Sequence, residues 1–429
     1  MSKIQDNDKL YNLAKVFVDY HTRRCFKRFK INGRENIPSD GACIFGSNHC
    51  NALMDALVLI MSLKGRKVFI ARADIFKNPG TAKLLKWMKI LPIFRMRDGI
   101  SSVRDKNGYI IDQAVDVIHD EVPLFLFPEA THRTKHSLRQ LSKGIFHIAL
   151  EANQKFGHEK PVYIIPTGLE YGDYFRLRST IIVSYGKPIN VTEYVKEHEG
   201  ETEIMILNGL KAVLTERMAE LISYVPDDED YEAIWEITKI RAGRLPLPLN
   251  MQLKRNKRFI AKTLEFRDKE PEKAKEVFQK VVEFTKHRNE KLISVTSVAK
   301  KTPFWRTLWK TLMMILGFPF FIAAAAVSSP IWLISSFILR NLEDTAFKNT
   351  VNFGVEIALH PIIMATGVSL LFCLVPWEFA VLGSIFLYYS YVFFLDYSQY
   401  LRRWVSDLRW IFNRKLRKEF NKINIFSFI

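Results

Sequence analysis

The stretch Ala42-Cys43-Ile44-Phe45-Gly46-Ser47-Asn48-His49-Cys50-Asn51-Ala52-Leu53-Met54-Asp55 decides how this chain is read. It opens with a short apolar run suited to a buried strand. A histidine and an aspartate then stand six positions apart. On one regular helix, residues at that separation point about 240° from each other and share no face. His49 is therefore expected before a helix or in its distorted first turn, with Asp55 inside it. A base and a carboxylate able to orient it would meet where a strand ends, which suits general-base chemistry.

Outward from that stretch, residues 31–225 alternate short apolar runs with helical patterns. Runs at 67–71, 124–127, 162–166 and 180–185 read as further buried strands, like 42–45. The patterns at 81–88, 101–119 and 143–155 read as helices between them. That order implies an α/β fold, a layered sheet-and-helix domain. Residues 1–30 read as a basic amphipathic N-terminal helix. Leu10, Leu13, Ala14, Phe17 and Val18 recur near the helical period over 8–30, and Arg23, Arg24, Lys27, Arg28 and Lys30 make its end basic. Residues 226–303 are polar and helical in pattern, a helical connector. Pro271 suits the first turn of a helix running to about Val295.

The chain has 429 residues, enough for two or three domains, and a net charge of +18. Nucleic acid and anionic membrane are the usual partners of so basic a chain. Apolar runs near the C-terminus favour the membrane, and no interleaved base-stacking motif supports nucleic acid. Cys25, Cys43, Cys50 and Cys373 lack metal-ligand spacing and read as free thiols of a reducing compartment. His132 and His136, four apart, lack the carboxylate-bearing motif of a zinc site. No metal is expected. The N-terminus has no apolar signal core.

Four later segments follow the His49–Asp55 pair in order. They are Pro92-Ile93-Phe94-Arg95-Met96-Arg97, Phe127-Pro128-Glu129-Ala130-Thr131-His132, Ser142-Lys143-Gly144 and Ile164-Ile165-Pro166-Thr167-Gly168. The set resembles the glycerolipid acyltransferase family over roughly residues 31–225. Gly186-Lys187-Pro188-Ile189 resembles its terminal landmark. The resemblance implies transfer of a fatty acyl group from a thioester, of coenzyme A or acyl carrier protein, to a glycerol phosphate hydroxyl. The thioester is a co-substrate, so no bound cofactor is expected. His49 would be the base and Asp55 would hold its tautomer, as in serine hydrolases. No serine nucleophile is needed, and Ser47 lacks the Gly-x-Ser-x-Gly elbow.

The remaining blocks would bind substrate. Arg97 matches the arginine of the second block and Arg95 is extra. Alternating on an extended stretch, both should point to one side, where guanidinium forks suit phosphate. Glu129 matches the glutamate that helps hold the glycerol backbone. Thr131 follows in the same block. Where the family has arginine, this chain has His132, so the role passes to Arg133 or is lost. Lys143 and Gly144 open a helix where an anion can meet a lysine and free N–H groups. Two further departures matter. Five residues separate His49 from Asp55 instead of four, a long form resembling a fungal glycerol-3-phosphate acyltransferase branch. Ala130 stands where the family has glycine, which argues against positive φ there.

From residue 304 the chain reads as a membrane region with a basic tail. Residues 312–339 carry no formal charge, 351–375 only Glu356, and 379–395 none. A span needs about 20 apolar residues. The first run contains Pro319 and Pro330 and fits a tilted, kinked span or a re-entrant hairpin. Lys300, Lys301, Arg306 and Lys310 precede it, while Arg402, Arg403, Arg409 and Arg414 follow the last run. Both flanks should be cytoplasmic, so crossings should be even, with an integral membrane protein whose catalytic domain lies on the cytoplasmic side. A re-entrant 312–339 plus two spans over 351–395 meets that condition. Glu356 and His360 are intramembrane ionisable groups one helical turn apart. The apolar runs are expected to anchor the protein and deliver lipid without joining the chemistry. A truncation near Ala299 should then keep activity in micelles.

The leading expectation is acylation of 1-acylglycerol-3-phosphate to phosphatidate. The alternatives are acylation of glycerol 3-phosphate, acylation of an amino-acid lipid head group, and a membrane-tethered lipid binder or transporter with a vestigial domain.

Overall fold

The computed structural model describes residues 3–94, 103–157, 159–243, 247–300 and 304–423. Arg95 and Arg97 lie outside the described residues. Two compact units are found: Met1–Ile222 with Asp344–Thr350, and Ser223–Glu343 with Val351–Ile429.

The first unit is a mixed α/β domain. Its elements are α1 (Lys9–Arg24), β1 (Phe26–Asn32), β2 (Ala42–Ser47), α2 (Leu53–Ser62), β3 (Val68–Arg72), α3 (Pro79–Trp87), β4 (Ile90–Ile93), α4 (Val103–His119), β5 (Leu124–Leu126) and α5 (Gly144–Phe156). There follow β6 (Val162–Tyr171), β7 (Ser179–Tyr185), β8 (Ile189–Asn190), α6 (Val191–Glu197) and α7 (Glu203–Ala219). The strand order is β1-β7-β6-β2-β5-β3-β4, with β8 paired to β6. Pairing is parallel except where β6 meets β7 and β8.

Strand β2 lies inside the sheet because both of its faces are apolar. On one face Phe45 stacks on Phe125 at 4.4 Å and Phe69 on Phe125 at 5.1 Å, a ladder across β2, β5 and β3. On the other, Ala42, Ile44, Leu124 and Ile164 pack with Ile118, Ile145, Ile148 and Leu214 of α4, α5 and α7. Each such side chain contributes about 1.5–3 kcal/mol by leaving water.

The N-terminal region differs from its expectation. The helix over 8–30 ends at Arg24, and Phe26–Asn32 is a strand pairing parallel to β7. Tertiary pairing overrides the helical pattern past residue 24, where Phe26 is buried between basic residues. The charges suit an edge strand, where lysine and arginine discourage further pairing. Short strands at 90–93 and 189–190 also carried no clear sequence signal.

The second unit is helical: α8 (Tyr231–Gly243), α9 (Leu249–Lys269), α10 (Pro271–Glu290), α11 (Val295–Ala299), α12 (Phe304–Arg340), α13 (Lys348–Leu374, from Val351), α14 (Trp377–Phe412) and α15 (Arg414–Ile423). Residues of the polar helices have a core of their own. Ile234, Ile237, Phe278, Val281 and Phe284 pack with Trp410 of α14 and Leu416 and Ile423 of α15. In that core Arg288 pairs with Glu236 at 3.0 Å. Among the described residues three helices, spanning α12, α13 and α14, are long and apolar enough to cross a membrane. Helix α12 is unbroken from Phe304 to Arg340, with Pro319 and Pro330 inside it, rather than two half-helices joined by a turn. It packs along α14: Trp404 Nε1 donates to Thr311 Oγ1 at 2.8 Å, and Phe321 stacks on Phe394 at 5.7 Å. Glu356 and His360 on α13 are both buried.

Candidate active site

Strands β2 and β5 are neighbours in parallel register, Gly46 opposite Leu126. His49 and Glu129 each follow three residues beyond that pair. Side chains from two adjacent strand ends therefore converge at the carboxyl edge of the sheet, where open α/β sheets place their ligand sites.

The link from β2 to α2 fixes His49. Asn48 is buried, and its side chain clamps β6 twice: Nδ2 donates to the Leu169 carbonyl at 3.0 Å and Oδ1 accepts from Leu169 N at 2.7 Å. His49 precedes α2, and Asp55 lies in the first turn of that helix. Between them Ala52 has φ of 43° and ψ of −127°, uncommon for a residue with a Cβ. Asp55 is fully buried. Its Oδ2 accepts from Cys50 N at 2.7 Å and Asn51 N at 2.8 Å, and faces His49 Nδ1 at 2.8 Å. Its Oδ1 accepts from the Tyr171 hydroxyl at 2.6 Å. With Nδ1–H donated to Asp55, the Nε2 lone pair of His49 is the one available to a substrate hydroxyl. The ring stacks on Phe127 at 4.2 Å, and the His49 carbonyl accepts from Arg133 N at 2.9 Å. Burial pushes the neighbouring Cys50 thiol well up, so it has little thiolate character.

The Glu129 turn departs from its expectation. Ala130 has φ of 61°, so the position is left-handed in spite of its Cβ. The turn enforces it: Ala130 N donates to the Phe127 carbonyl at 3.1 Å and Thr131 N to the Glu129 carbonyl at 2.7 Å. Glu129 is buried, and its carboxyl is pushed up to about 8, by desolvation first and then by the charge of Asp55. Arg139 and Arg133 oppose that shift, which makes both cations electrostatic neighbours of the carboxyl. Glu129 Oε1 has no hydrogen-bond partner among the described residues.

Lys143 caps α5 with no side-chain hydrogen bond, and Gly144 begins that helix. Ser142 N donates to the Pro128 carbonyl at 2.7 Å, which ties this helix start to the Glu129 turn. Glu129, Thr131, Arg133 and the Lys143–Gly144 pair thus lie on one linked stretch, while Arg95 and Arg97 lie outside the described residues.

Sequence reasoning missed four contributors. Asn48 was quoted but given no role. Tyr171 and Arg139 were not singled out. Asp344 was taken as part of a passive membrane region. It instead folds with the first unit: Asp344 Oδ2 lies 2.7 Å from His132 Nε2, and His132 meets His49 edge-on at 5.6 Å. The region from residue 304 was expected to anchor the protein and deliver lipid; within it, Asp344–Thr350 falls in the compact unit that holds the site. His136, considered with His132 for metal, faces Glu170 at 3.4 Å instead.

The acyltransferase family model matches residues 28–170. The matched segment is about a third of the chain and contains His49, Asp55 and Glu129. The acyltransferase domain is 29% identical over 126 residues to 1-acyl-sn-glycerol-3-phosphate acyltransferase alpha of Homo sapiens, covering 29% of this chain and 42% of that protein. The Mus musculus protein of the same name is 27% identical over 162 residues, covering 37% and 52%. Glycerol-3-phosphate O-acyltransferase 1 of Saccharomyces cerevisiae is 28% identical over 155 residues, covering 34% and 20%. The chain thus spans about half or less of the length of these relatives. The crystal structure of the 1-acyl-sn-glycerophosphate acyltransferase of Thermotoga maritima is similar at 17% identity and a TM-score of 0.35, covering 51% of this chain and 83% of that one.

Proposed function

We propose that the acyltransferase domain moves a fatty acyl group from a coenzyme A or acyl carrier protein thioester to a hydroxyl of 1-acylglycerol-3-phosphate, giving phosphatidate. The observation that carries the reading is the His49–Asp55 pair, held by four bonds to Asp55 and set beside Glu129 on the next strand end. His49 Nε2 takes the proton as the acceptor oxygen attacks the thioester carbon. The ester bond forms, the carbon–sulfur bond breaks, and the proton goes to the departing thiolate. A positioned base contributes about 10²–10⁴-fold. Glu129 holds the glycerol backbone, and Arg97, Arg95, Arg133 and the Lys143–Gly144 helix start hold the phosphate. The site works from the cytoplasmic side of the membrane.

Glycerol 3-phosphate as acceptor is the second reading. It is favoured by the five-residue spacing of the pair and the likeness to the yeast protein. The test is acyl transfer by the membrane-bound protein with both acceptors and both donors, His49→Ala in parallel. Activity should vanish in His49→Ala and drop sharply in Asp55→Asn. If His49→Ala keeps more than about a tenth of the turnover, His49 is not the base. If the wild type transfers nothing to any acceptor, the acyl-transfer reading is overturned.

A further inference from the structure

The segment Asp344–Thr350 follows α12 and includes the first residues of α13, yet it is part of the compact unit that holds the site. It reaches both members of the His49–Asp55 pair, the first through one residue and the second through two.

The first route runs through His132. Asp344 uses its two oxygens separately. Oδ1 accepts from Ala346 N at 2.9 Å and shapes a 3-10 turn over Thr345–Phe347, while Oδ2 faces His132 Nε2 at 2.7 Å. Phe347 meets the His132 ring edge-on at 5.2 Å. The imidazole is gripped by a carboxylate and an aromatic edge from this segment, and it also meets the His49 ring. The peptide following His132 also bonds the His49 carbonyl.

The second route runs through Tyr174. Asn349 is buried and donates from Nδ2 to the Tyr174 carbonyl at 2.7 Å. The Tyr174 ring packs on Tyr171 at 5.6 Å, and Tyr171 holds Asp55 Oδ1. One segment thereby bears on the base through its neighbour and on the orienting carboxylate through its hydroxyl donor. Ala346, almost fully buried, shows that the contact is packed rather than grazing.

We propose that Asp344–Thr350 is a positioning clamp for the His49–Asp55 pair, with Asp344, His132 and Asn349 as positioning residues, so that acyl transfer depends on a segment supplied from within the membrane region. The inference rests on the reading of His49 as base. Small displacements of a reacting group cost rate steeply, so a clamp of this kind acts on turnover and leaves substrate affinity alone.

The experiment uses the full chain in membranes, with Asp344→Ala, His132→Ala, Asn349→Ala, the Asp344→Ala/His132→Ala double variant and His49→Ala. Each positioning variant should lower kcat by about tenfold, with KM for donor and acceptor within about twofold. The double variant should be no worse than the worse single, because the two residues act through one contact. Asp344→Asn, which keeps an acceptor oxygen for His132, should recover part of the loss. It also decides the matter, with Asn349→Ala, where Asp344→Ala fails to accumulate. Wild-type kcat in Asp344→Asn and Asn349→Ala, or multiplying losses in the double variant, would overturn the clamp while an inactive His49→Ala leaves the reaction standing. An active His49→Ala would instead remove the reading on which the clamp rests.

Discussion

Glu129→Gln separates the ionisation of one buried carboxyl from its shape. In the folded protein the Glu129 carboxyl is raised from 4.5 to about 8, because burial and the Asp55 charge both disfavour its anion. A group whose folded value is raised lends its full stability below the unfolded value and loses it as pH rises through the folded one. The fall occupies the window from 4.5 to about 8. Each pH unit inside it costs the folded state about 1.4 kcal/mol. Between about pH 5 and about pH 9 the loss sums to roughly 4 kcal/mol, an order-of-magnitude ceiling. Glutamine keeps the shape and carries no proton to lose. The stability of Glu129→Gln relative to wild type should therefore improve steadily across that window. The assay is denaturant unfolding of the first unit's sheet signal in detergent at several pH values, wild type and variant side by side. A difference that stays flat within about 1 kcal/mol would refute the argument, since the carboxyl would then ionise in the fold as readily as in water.

Three other outcomes are expected. Tyr171→Phe removes a donor from buried Asp55 Oδ1, which should cost about 1–3 kcal/mol of stability in denaturant unfolding and lower kcat more than either KM. Ala130→Gly relieves a left-handed alanine and should raise stability by up to about 1 kcal/mol in the same unfolding assay, whereas Ala130→Val should lower it. Arg97→Ala should chiefly raise KM for the phosphorylated acceptor and spare that for the acyl donor in steady-state kinetics. A fall in kcat alone would contradict a phosphate clamp.

Much of the sheet was legible because its inner strands are buried on both faces. Runs such as 42–45, 124–127 and 162–166 are apolar throughout and could hardly be anything else. The His49–Asp55 geometry was legible because six residues cannot share a helical face, and the structure does place one before α2 and one within it. What escaped was set at long range. Strand β1 exists because β7 pairs with it 150 residues later, and nothing local marks Phe26–Asn32 as extended. Tyr171 is 116 residues from Asp55, and Asp344 is 212 from His132. Neither contact has a spacing that a periodicity could show. Ala130 escaped for another reason: a hydrogen-bonded turn held it in a conformation that residue preference alone argues against.

The segment that carries Asp344 also changes how a lesion at the end of the apolar helix would be read. Arg340 closes α12, and four residues later Asp344 belongs to the compact unit that holds the site. Four residues of chain reach at most about 14 Å, so no long linker separates that helix end from Asp344. Inserting or deleting a residue within 341–343 would pull on Asp344 directly, and through it on His132. The end of α12 and the proposed clamp are thus one mechanical element, in which a shift of the helix along its axis reaches the clamp instead of being lost in a loop.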